Sequence, residues 1–225
     1  MEAWRSLIRR AVARLEALGL GRDEWQWGGG TVLMLRYRHR FSRDVDLFID
    51  DVQYLSYLSP RLSDRATDDI LGYSEQANHL RLEYPEGEID FLTVAPVFPD
   101  LKPIGEPIEG VDGAVRLMAD KEIIGQKLFY RAATFTGRDL YDFVAVTKGR
   151  PELLNDEALR KVALARRDAL VAALSSPNCE RGYKEIDRPS LSVSFATARD
   201  ALLDWLSAVP SHRDAEQGRP SIRTK

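Results

Sequence analysis

The chain has 225 residues, of which 44% are apolar and 30% charged, a composition typical of a soluble globular protein. The single cysteine, Cys179, excludes an internal disulfide, and a formal net charge of −3 does not favour a general nucleic-acid-binding protein. Residues 1–19 carry charges throughout and lack the apolar centre of a signal peptide, and no apolar run is long enough to span a membrane. We therefore expect a cytoplasmic protein that does not bind membranes.

The N-terminal segment predicts a helix, a short strand and a glycine turn. Apolar residues recur at helical spacing over residues 3–18, and the glycines at 19–21 end that helix. Residues 25–27 form a short strand that leads into Gly28-Gly29-Gly30. Because Gly29-Gly30-Thr31 precede another apolar helical pattern, free backbone N–H groups at a helix start could bind a phosphate there. A plain turn is the alternative interpretation.

Two aspartates follow thirteen residues after the glycine turn. In a strand over residues 44–49, Asp44 and Asp46 point to the same side, while the apolar residues between them point to the other. Two carboxylates on one side repel each other unless a cation lies between them. Mg²⁺ prefers such ligands together with phosphates, and two ions can hold the attacking and leaving oxygens of a nucleotidyl transfer. The alternative is a solvated strand end.

A basic cluster lies between the glycines and the acids. Arg36, Arg38, Arg40 and Arg43 occur within eight residues, together with His39, which we expect at the surface. The cluster is either a solvated helix end or a patch that attracts a triphosphate or an RNA backbone.

The order of these elements resembles a known family. Gly29-Gly30-Thr31, followed by Arg40-x-Ser42-x-Asp44-x-Asp46, is similar to the AbiEii/AbiGii abortive-infection nucleotidyltransferase toxins of the DNA polymerase β-like superfamily.

A second block of the chain carries the same resemblance. Within residues 121–144, Gln126-Lys127-Leu128 and Arg138-Asp139-Leu140-Tyr141-Asp142 match a helical lysine and an Arg-Asp-x-x-Asp stretch of that family. The resemblance covers about residues 20–150, and no comparable match lies in the C-terminal third.

The central segment predicts helices interrupted at Pro60 within residues 52–71, then strands over 73–77, 79–84 and 88–94. Asp90 lies between apolar residues in the third of these strands, where a carboxylate needs a partner. The resemblance implies a third acid on a strand beside the first two, and we assign that role to Asp90. Glu88 shares its face and is the competing candidate.

These patterns predict an α+β fold with two lobes. Residues 1–95 form a nucleotidyltransferase lobe with a small mixed β-sheet flanked by helices, and residues 117–209 form a helical bundle. The proline- and glycine-rich residues 96–116 form a crossing segment between the lobes, and residues 210–225 form a flexible tail. The predicted helices of the second lobe cover residues 117–134, 139–148, 153–174 and 194–208.

The resemblance also implies roles for individual residues. The catalytic candidates are Asp44, Asp46, Asp90, Lys127 and Asp139. A nucleoside triphosphate would be bound by Gly29, Gly30, Thr31, Arg40, Ser42 and Lys127. Two Mg²⁺ ions would be bound by Asp44, Asp46 and Asp90. Asp139 would position the nucleotide or the acceptor, although helix capping alone could explain an acid there.

The implied activity is Mg²⁺-dependent transfer of a nucleotide from an NTP to an RNA acceptor such as the tRNA 3′ end, with release of pyrophosphate. The implied context is a toxin of a toxin–antitoxin or abortive-infection system, with a cognate antitoxin as partner. One alternative is a nucleotidyltransferase that modifies a small molecule, such as an aminoglycoside, or a protein. The other is a non-catalytic nucleotide- or RNA-binding module.

Overall fold

A computed structural model describes residues 3–62 and 69–208 of the chain, and the predicted tail at 210–225 lies outside these residues. The strands in the described part are β1 Trp25–Gly28, β2 Val45–Ile49, β3 Gly72–Gln76, β4 His79–Tyr84, β5 Gly87–Leu92, β6 Ile104–Pro107 and β7 Ala114–Leu117. The α-helices there are α1 Ala3–Ala17, α2 Gly29–Tyr37, α3 Gln53–Leu58, α4 Asp120–Tyr130, α5 Gly137–Gly149, α6 Glu157–Leu164, α7 Arg167–Leu174, α8 Pro177–Lys184 and α9 Phe195–Ser207.

The strands form one mixed sheet in the order β3-β4-β5-β2-β1-β7-β6. Strand β2 pairs antiparallel with β1 and parallel with β5, so the glycine turn after β1 lies at the same end of the sheet as the start of β2. Strand β7 pairs parallel with β1 and carries β6 at the outer edge. The predicted α+β class, with a mixed sheet and a helical lobe, is confirmed.

Helix α1 covers one face of the sheet because its apolar residues recur at helical spacing. Trp4, Leu7, Ile8 and Leu15 are buried in the same core as the inward side chains of β2. Strand β1 contributes two tryptophans to this core, Trp25 and Trp27, which are 1% and 0% exposed. The tryptophans are therefore core residues and are not available to stack on bases.

Helix α5 lies at the centre of the helical lobe. Its start is fixed by a capping box, in which the Thr136 hydroxyl accepts from the Asp139 N–H and the Asp139 carboxylate accepts from the Thr136 N–H. A Cβ on Gly137 would lie 2.1 Å from the backbone nitrogen of Tyr183, so α8 packs directly on the start of α5. The sequence pattern placed this helix two residues too late, because it took Gly137 as a separator.

The structure differs from the expectation for residues 96–116. Two strands, β6 and β7, lie in this segment and extend the sheet, although its prolines and glycines suggested a plain crossing. Pro107 is tolerated because it ends β6 at the sheet edge, where a missing N–H donor costs little. The lobe boundaries at 95/96 and 116/117 stay predictions.

Two helical expectations were also inaccurate. The predicted helix over 153–174 is divided into α6 and α7, because Asp156 caps a new helix start and the chain breaks again before Arg167. Helix α8 was not predicted. In the structure Pro177 occupies the first helical turn, where its absent N–H is harmless, and the Ser176 hydroxyl caps the helix. Part of the helical segment predicted at 52–71 lies outside the described residues.

Within residues 3–62 and 69–208, no helix is long and apolar enough to cross a membrane.

Candidate active site

The two strands that carry the candidate acids run side by side. In the parallel pair β2 and β5, Asp46 is aligned with Asp90, and Val45 is aligned with Ile89. Val45 and Leu47 are fully buried, so the alternation of the strand turns Asp46 away from the core. Asp46 and Asp90 both line one cleft of about 820 Å³ between the sheet and the helical lobe.

Asp44 lies immediately before β2, level with the start of β5. Its Oδ1 accepts a hydrogen bond of 3.2 Å from the Glu88 backbone N–H. The Glu88 side chain instead lies 3.0 Å from a guanidinium nitrogen of Arg81. Asp44, Glu88 and Asp90 therefore all line the cleft. Glu88 thus stays the competing candidate for the third acid beside Asp90.

The glycine turn touches the acid pair directly. Gly29 has φ +71°, and a Cβ built on it would lie 1.8 Å from Oδ2 of Asp46. Only glycine allows both this backbone conformation and this approach. Helix α2 begins here without a side-chain cap at Gly28. The start of α2 therefore has backbone N–H groups without a side-chain cap, directly beside the Asp46 carboxylate. A phosphate would satisfy the N–H groups, and a cation bound to that phosphate would neutralise the carboxylate.

Thr31 and Ser42 join α2 to the acid strand. The Thr31 side chain is fully buried, and its hydroxyl lies within hydrogen-bond distance of the Ser42 hydroxyl (2.9 Å) and of the Asp44 backbone carbonyl. The hydroxyl of Thr31 is therefore used inside the protein to fix the position of Asp44. Ser42 lines the cleft.

The buried carboxylate of Asp142, on α5, is surrounded by basic side chains. Arg40 donates to both of its carboxylate oxygens, at 2.6 and 3.0 Å, and Lys127 Nζ lies 3.1 Å away. The ring nitrogen Nε2 of His39 is 2.6 Å from Oδ1. Burial alone would raise the pKa of Asp142, but Lys127 and Arg40 hold it well below its usual range. Asp142 therefore stays ionised and fixes Arg40 and Lys127 at the cleft wall.

Asp139 has a similar environment one helical turn earlier. Its carboxylate is 1% exposed and accepts from Lys127 Nζ at 2.6 Å and from Arg131 Nε at 3.2 Å. Burial opposes ionisation, yet Lys127 and Arg131 lower the pKa of Asp139 below its ordinary value. Lys127 is thus held by two carboxylates, and its side chain is only 11% exposed at the cleft.

Asp90 is held by two side chains of the neighbouring strand β4. Nε2 of His79 lies 2.6 Å from its Oδ1, and Arg81 donates to the same oxygen at 2.9 Å. Burial acts against the charged form, but the hydrogen bonds of His79 and Arg81 lower the pKa of Asp90. Asp90 has an internal partner, as a carboxylate within a strand requires.

Asp46 differs from the other acids of the cleft. Burial and the neighbouring Asp90 carboxylate raise its pKa to about 7. Within the described residues its carboxylate forms no ion pair or hydrogen bond, although the charges of Lys127 and Arg131 partly offset the rise in its pKa. A buried carboxylate in this state lacks the cation that would stabilise its charge.

The acids of the cleft have the chemistry that Mg²⁺ requires. Carboxylates are the hard oxygen ligands that this ion prefers, Asp44, Asp46 and Asp90 line the same cleft, and the unpartnered Asp46 is the group that a cation would stabilise most. In the described part of the chain, no three His, Cys, Asp or Glu side chains are gathered closely enough to hold a metal ion as they stand. The oxygens of Asp90 are already bonded to His79 and Arg81. The donor chemistry therefore fits Mg²⁺, while Asp90 would have to exchange partners.

The basic cluster of the sequence is divided by the fold. Arg36 pairs with Asp120 on α4, and Arg40 pairs with Asp142, so both are structural contacts between the lobes. Arg38 and Arg43 are exposed. His39, expected at the surface, is fully buried against Asp142. The surface expectation was wrong because its partner lies 103 residues away in sequence.

Several residues that hold the candidate side chains in place were not predicted. His79 and Arg81 contact Asp90, Arg131 contacts Asp139, and Asp142 contacts Lys127. His39 in turn contacts Asp142. The Arg-Asp-x-x-Asp stretch contained a signal for Asp142, since the spacing of three residues places both acids on the same side of α5. The other four carried no local signal.

The model of the family "Nucleotidyl transferase AbiEii toxin, Type IV TA system" matches residues 10–217. The chain belongs to this family. The resemblance stated from the glycine and aspartate motifs is confirmed, and with it a nucleotidyltransferase toxin of a type IV toxin–antitoxin system. The match extends beyond residues 20–150 and includes most of the C-terminal third, in which the sequence showed no comparable motif. No protein with curated function matches the sequence significantly.

Two solved structures are similar to this chain. MenT4, a nucleotidyltransferase toxin from Mycobacterium tuberculosis H37Rv, is 16% identical, with a TM-score of 0.55 over 92% of this chain and 86% of that one. The antibiotic-resistance factor ANT(2″)-Ia is 18% identical, with a TM-score of 0.47 over 76% of this chain and 96% of that one. At 16% identity, the similarity to MenT4 shows a shared fold only. The TM-score of 0.47 is too low for the similarity to ANT(2″)-Ia to support a conclusion.

Proposed function

We propose that this toxin transfers a nucleoside monophosphate from an NTP to an RNA hydroxyl, such as the 3′ end of a tRNA, in a Mg²⁺-dependent reaction. The observation that carries the proposal is the alignment of Asp46 with Asp90 beside the glycine-rich start of α2. Two carboxylates that would bind a metal ion therefore lie directly beside a helix start whose backbone N–H groups would bind phosphate.

The triphosphate would lie along the start of α2. Backbone N–H groups at Gly29, Gly30 and Thr31 would bind phosphate oxygens, and the Ser42 hydroxyl lies on the same wall. Arg40 and Lys127 line the cleft at positions fixed by Asp142, and would contribute N–H donors to the phosphates, since Asp142 and Asp139 already balance their charge. We assign Asp139 to the same positioning task, because its carboxylate holds Lys127 and Arg131 and has no oxygen left for a substrate.

Mg²⁺, held by Asp44, Asp46 and Asp90, would neutralise the triphosphate and favour loss of the acceptor proton. The acceptor oxygen forms a new bond to the α-phosphorus, and the bond from that phosphorus to the bridging oxygen breaks. Pyrophosphate leaves with the electron pair. The proton of the hydroxyl passes to a carboxylate of the cleft and from there to water. We propose Asp90 as this acceptor, a role that requires it to give up its hydrogen bonds to His79 and Arg81.

The cellular role follows from the family. A type IV toxin–antitoxin description supports a cognate antitoxin and a cytoplasmic site of action, and we propose abortive infection as the biological setting.

A labelling experiment tests the activity. The protein is incubated with Mg²⁺, each α-labelled NTP and total RNA. Wild type should label a discrete RNA band, and Asp44→Ala and Asp46→Ala should not. Asp51→Ala is the matched control, because Asp51 is an exposed acid just beyond β2. Label on a protein or on an aminoglycoside, with none on RNA, would contradict the RNA acceptor.

A non-catalytic nucleotide- or RNA-binding module is the alternative from another class. It predicts tight NTP binding without label on any acceptor. The presence of Asp44, Asp46 and Asp90 on one cleft supports the enzyme instead, because a binding module has no use for a carboxylate as poorly neutralised as Asp46.

A further inference from the structure

The cleft changes from polar to apolar along its strands. On the parallel pair β2 and β5, Asp46 is aligned with Asp90, and the next residues on the same face, Phe48 and Leu92, are aligned with each other. Phe48 and Leu92 both line the cleft. Because two residues of strand cover about 7 Å, this apolar pair lies about that far from the acid pair. We call the part of the cleft between Phe48, Leu92 and the facing side chains of α4 the apolar end.

Helix α4 forms the other wall of the apolar end. Its cleft-lining side chains are Ile123, Gln126, Lys127 and Tyr130. Their spacing of three and four residues places them on one face of the helix. Lys127 reaches away to the carboxylates of α5, so an aliphatic side chain, an amide and an aromatic ring remain at the apolar end.

The amide of Gln126 has a fixed orientation. The Glu122 carboxylate accepts from the Val97 N–H at 2.8 Å, from the Phe98 N–H at 2.7 Å and from Gln126 Nε2 at 2.9 Å. A carboxylate can only accept hydrogen bonds, so Gln126 has to turn its NH₂ group toward Glu122. Its carbonyl oxygen, Oε1, is left as an acceptor at the cleft, and no residue in the described part of the chain donates to it.

The ring of Tyr130 is fixed but uncovered. Its hydroxyl donates to the Ala95 carbonyl at 2.8 Å, and the ring packs edge-on against Phe129, with ring centres 5.0 Å apart. Tyr130 is nevertheless 47% exposed. A planar ligand can stack on such a ring without a further loss of side-chain freedom.

The width of the apolar end is set before a ligand binds. The chain that follows β5 is attached to α4 through Ala95, Val97 and Phe98. A Cβ built on Gly125 would lie 2.5 Å from the Phe98 ring, so this ring packs directly on the helix. The sheet side and the helix side of the apolar end are thus joined by several contacts.

We propose that the apolar end is the nucleobase subsite and that Gln126 selects ATP and CTP. The base packs between the Phe48–Leu92 pair and the Tyr130 ring, and the ribose spans the distance to the acid pair. The amino group at C6 of adenine or C4 of cytosine donates to Gln126 Oε1. Guanine and uracil carry a carbonyl oxygen at that position, which would place two acceptors against each other. The inference rests on the proposed function, because it names the NTP that the same cleft takes.

Nucleotide binding without turnover tests the subsite. The α,β-methylene analogues of the four NTPs are titrated into the full chain with Mg²⁺ and followed by calorimetry. Wild type should bind the ATP and CTP analogues at least about tenfold more tightly than the GTP and UTP analogues, because the latter leave Oε1 unpaired. Gln126→Leu should reduce this preference to within about twofold, since the oxygen that discriminates is removed.

The ring of Tyr130 should act on all four analogues alike. Tyr130→Ala should weaken each of them by about tenfold or more without changing the preference, because stacking is similar for every base. Tyr130→Phe keeps the ring and should stay within about threefold of wild type. The matched controls are Gln53→Leu and Tyr57→Ala, which change the same residue types at exposed positions of α3 outside the cleft. Both should retain the wild-type affinities and preference.

Inorganic tripolyphosphate separates base recognition from a structural effect. It has the phosphates of an NTP but no base, so Gln126→Leu and Tyr130→Ala should leave its affinity in Mg²⁺ within about twofold of wild type. An equal loss of affinity for tripolyphosphate and for the NTP analogues would show that the substitutions act through the neighbouring Lys127, and would overturn the subsite.

The outcomes separate this inference from the proposed function. Equal affinity of wild type for the four analogues, or a preference for the GTP and UTP analogues, would overturn the selection by Gln126. Transfer of label to RNA would leave the proposed function intact in either case. Binding of the ATP and CTP analogues that depends on Gln126, with no transfer to any acceptor, would support the subsite and overturn the proposed enzyme.

Discussion

The sheet and the helical lobe both contribute aspartates to the cleft, but the two sets differ in what neutralises them. On α5, Asp139 and Asp142 are surrounded by lysine and arginine, and their pKa values are lowered. On β2, Asp46 has no cation partner in the described chain, and its pKa is raised to about 7. Aspartate therefore has two roles in this cleft. Asp139 and Asp142 fix the protein's own cations in place, whereas Asp46 is free to bind a cation from solution.

The largest expected effect is on Asp46. Asp46→Asn should lower nucleotide transfer by about 10³-fold or more, because a ligand of Mg²⁺ is lost. In the presence of a chelator it should raise the free energy of unfolding at pH 8 by about 2 kcal/mol, because an acid with a raised folded pKa destabilises the native state once ionised. The gain should shrink as pH falls below about 7 and be mostly lost near pH 4, where the carboxyl group is protonated in the folded state and about half protonated in the unfolded state. Urea unfolding at both pH values measures it, and a loss of stability at pH 8 would contradict the unpartnered state of Asp46.

Asp142 should behave in the opposite way. Asp142→Asn should lower the free energy of unfolding at pH 7 by about 3 kcal/mol, because Arg40 and Lys127 would remain buried without a countercharge. An acid with a lowered folded pKa stabilises the protein above the unfolded value of about 3.9, and this contribution is lost as pH falls through the folded pKa. The difference from wild type should thus be constant above about pH 5 and shrink below about pH 4.

An exposed acid gives the control for this comparison. Asp200→Asn, which removes a surface partner of Arg199, should change stability by less than about 0.5 kcal/mol at any of these pH values. Equal effects at positions 142 and 200 would remove the distinction between the two sets of acids.

The contact between Gly29 and Asp46 gives a smaller effect on stability. Gly29→Ala should cost about 2–3 kcal/mol, since the residue has a positive φ and its new Cβ would overlap Oδ2 of Asp46. Gly19→Ala is a matched control with a similar φ of +79° and nothing within 4 Å, so only the backbone cost of about 1 kcal/mol should appear. Thermal unfolding of both variants measures the difference, and equal losses would argue against the close approach.

The smallest expected effect concerns Asp90. It lies on the sheet, as Asp46 does, but it is paired with basic side chains, as Asp139 and Asp142 are. Arg81→Gln should release one hydrogen-bond partner of Asp90 and lower the Mg²⁺ concentration for half-maximal activity by about threefold. Arg61→Gln, which removes a comparable exposed pair with Glu75, should leave it unchanged. A rise in the Mg²⁺ requirement would show that Arg81 helps Asp90 to bind the ion.

The comparison also explains which parts of the site were predictable from sequence. Asp44 and Asp46 are close in the chain, and strand alternation predicted that they share one side. The strand begins only at Val45, so Asp44 precedes it, but both acids line the cleft. Asp90 was selected because an acid within an apolar strand is unusual, and its role as a ligand stays a prediction. The partners of Asp142 were missed because Arg40 and His39 lie more than 100 residues away, and no local pattern reports such a contact. The same limit applies to β6 and β7, whose pairing depends on the rest of the sheet.

A backbone bridge joins residues 39–41 to residues 187–190: the Phe41 N–H donates to the Asp187 carbonyl at 2.9 Å, and the Ser190 N–H donates to the His39 carbonyl at 2.8 Å. The Leu191 N–H also donates to the Tyr141 hydroxyl at 2.7 Å, so this late segment contacts both the loop before β2 and helix α5. Contacts between residues this distant in sequence form late in folding. A nascent chain cannot form this bridge until residue 191 has left the ribosome, so residues 39–41 remain without it while the rest of the cleft is being synthesised.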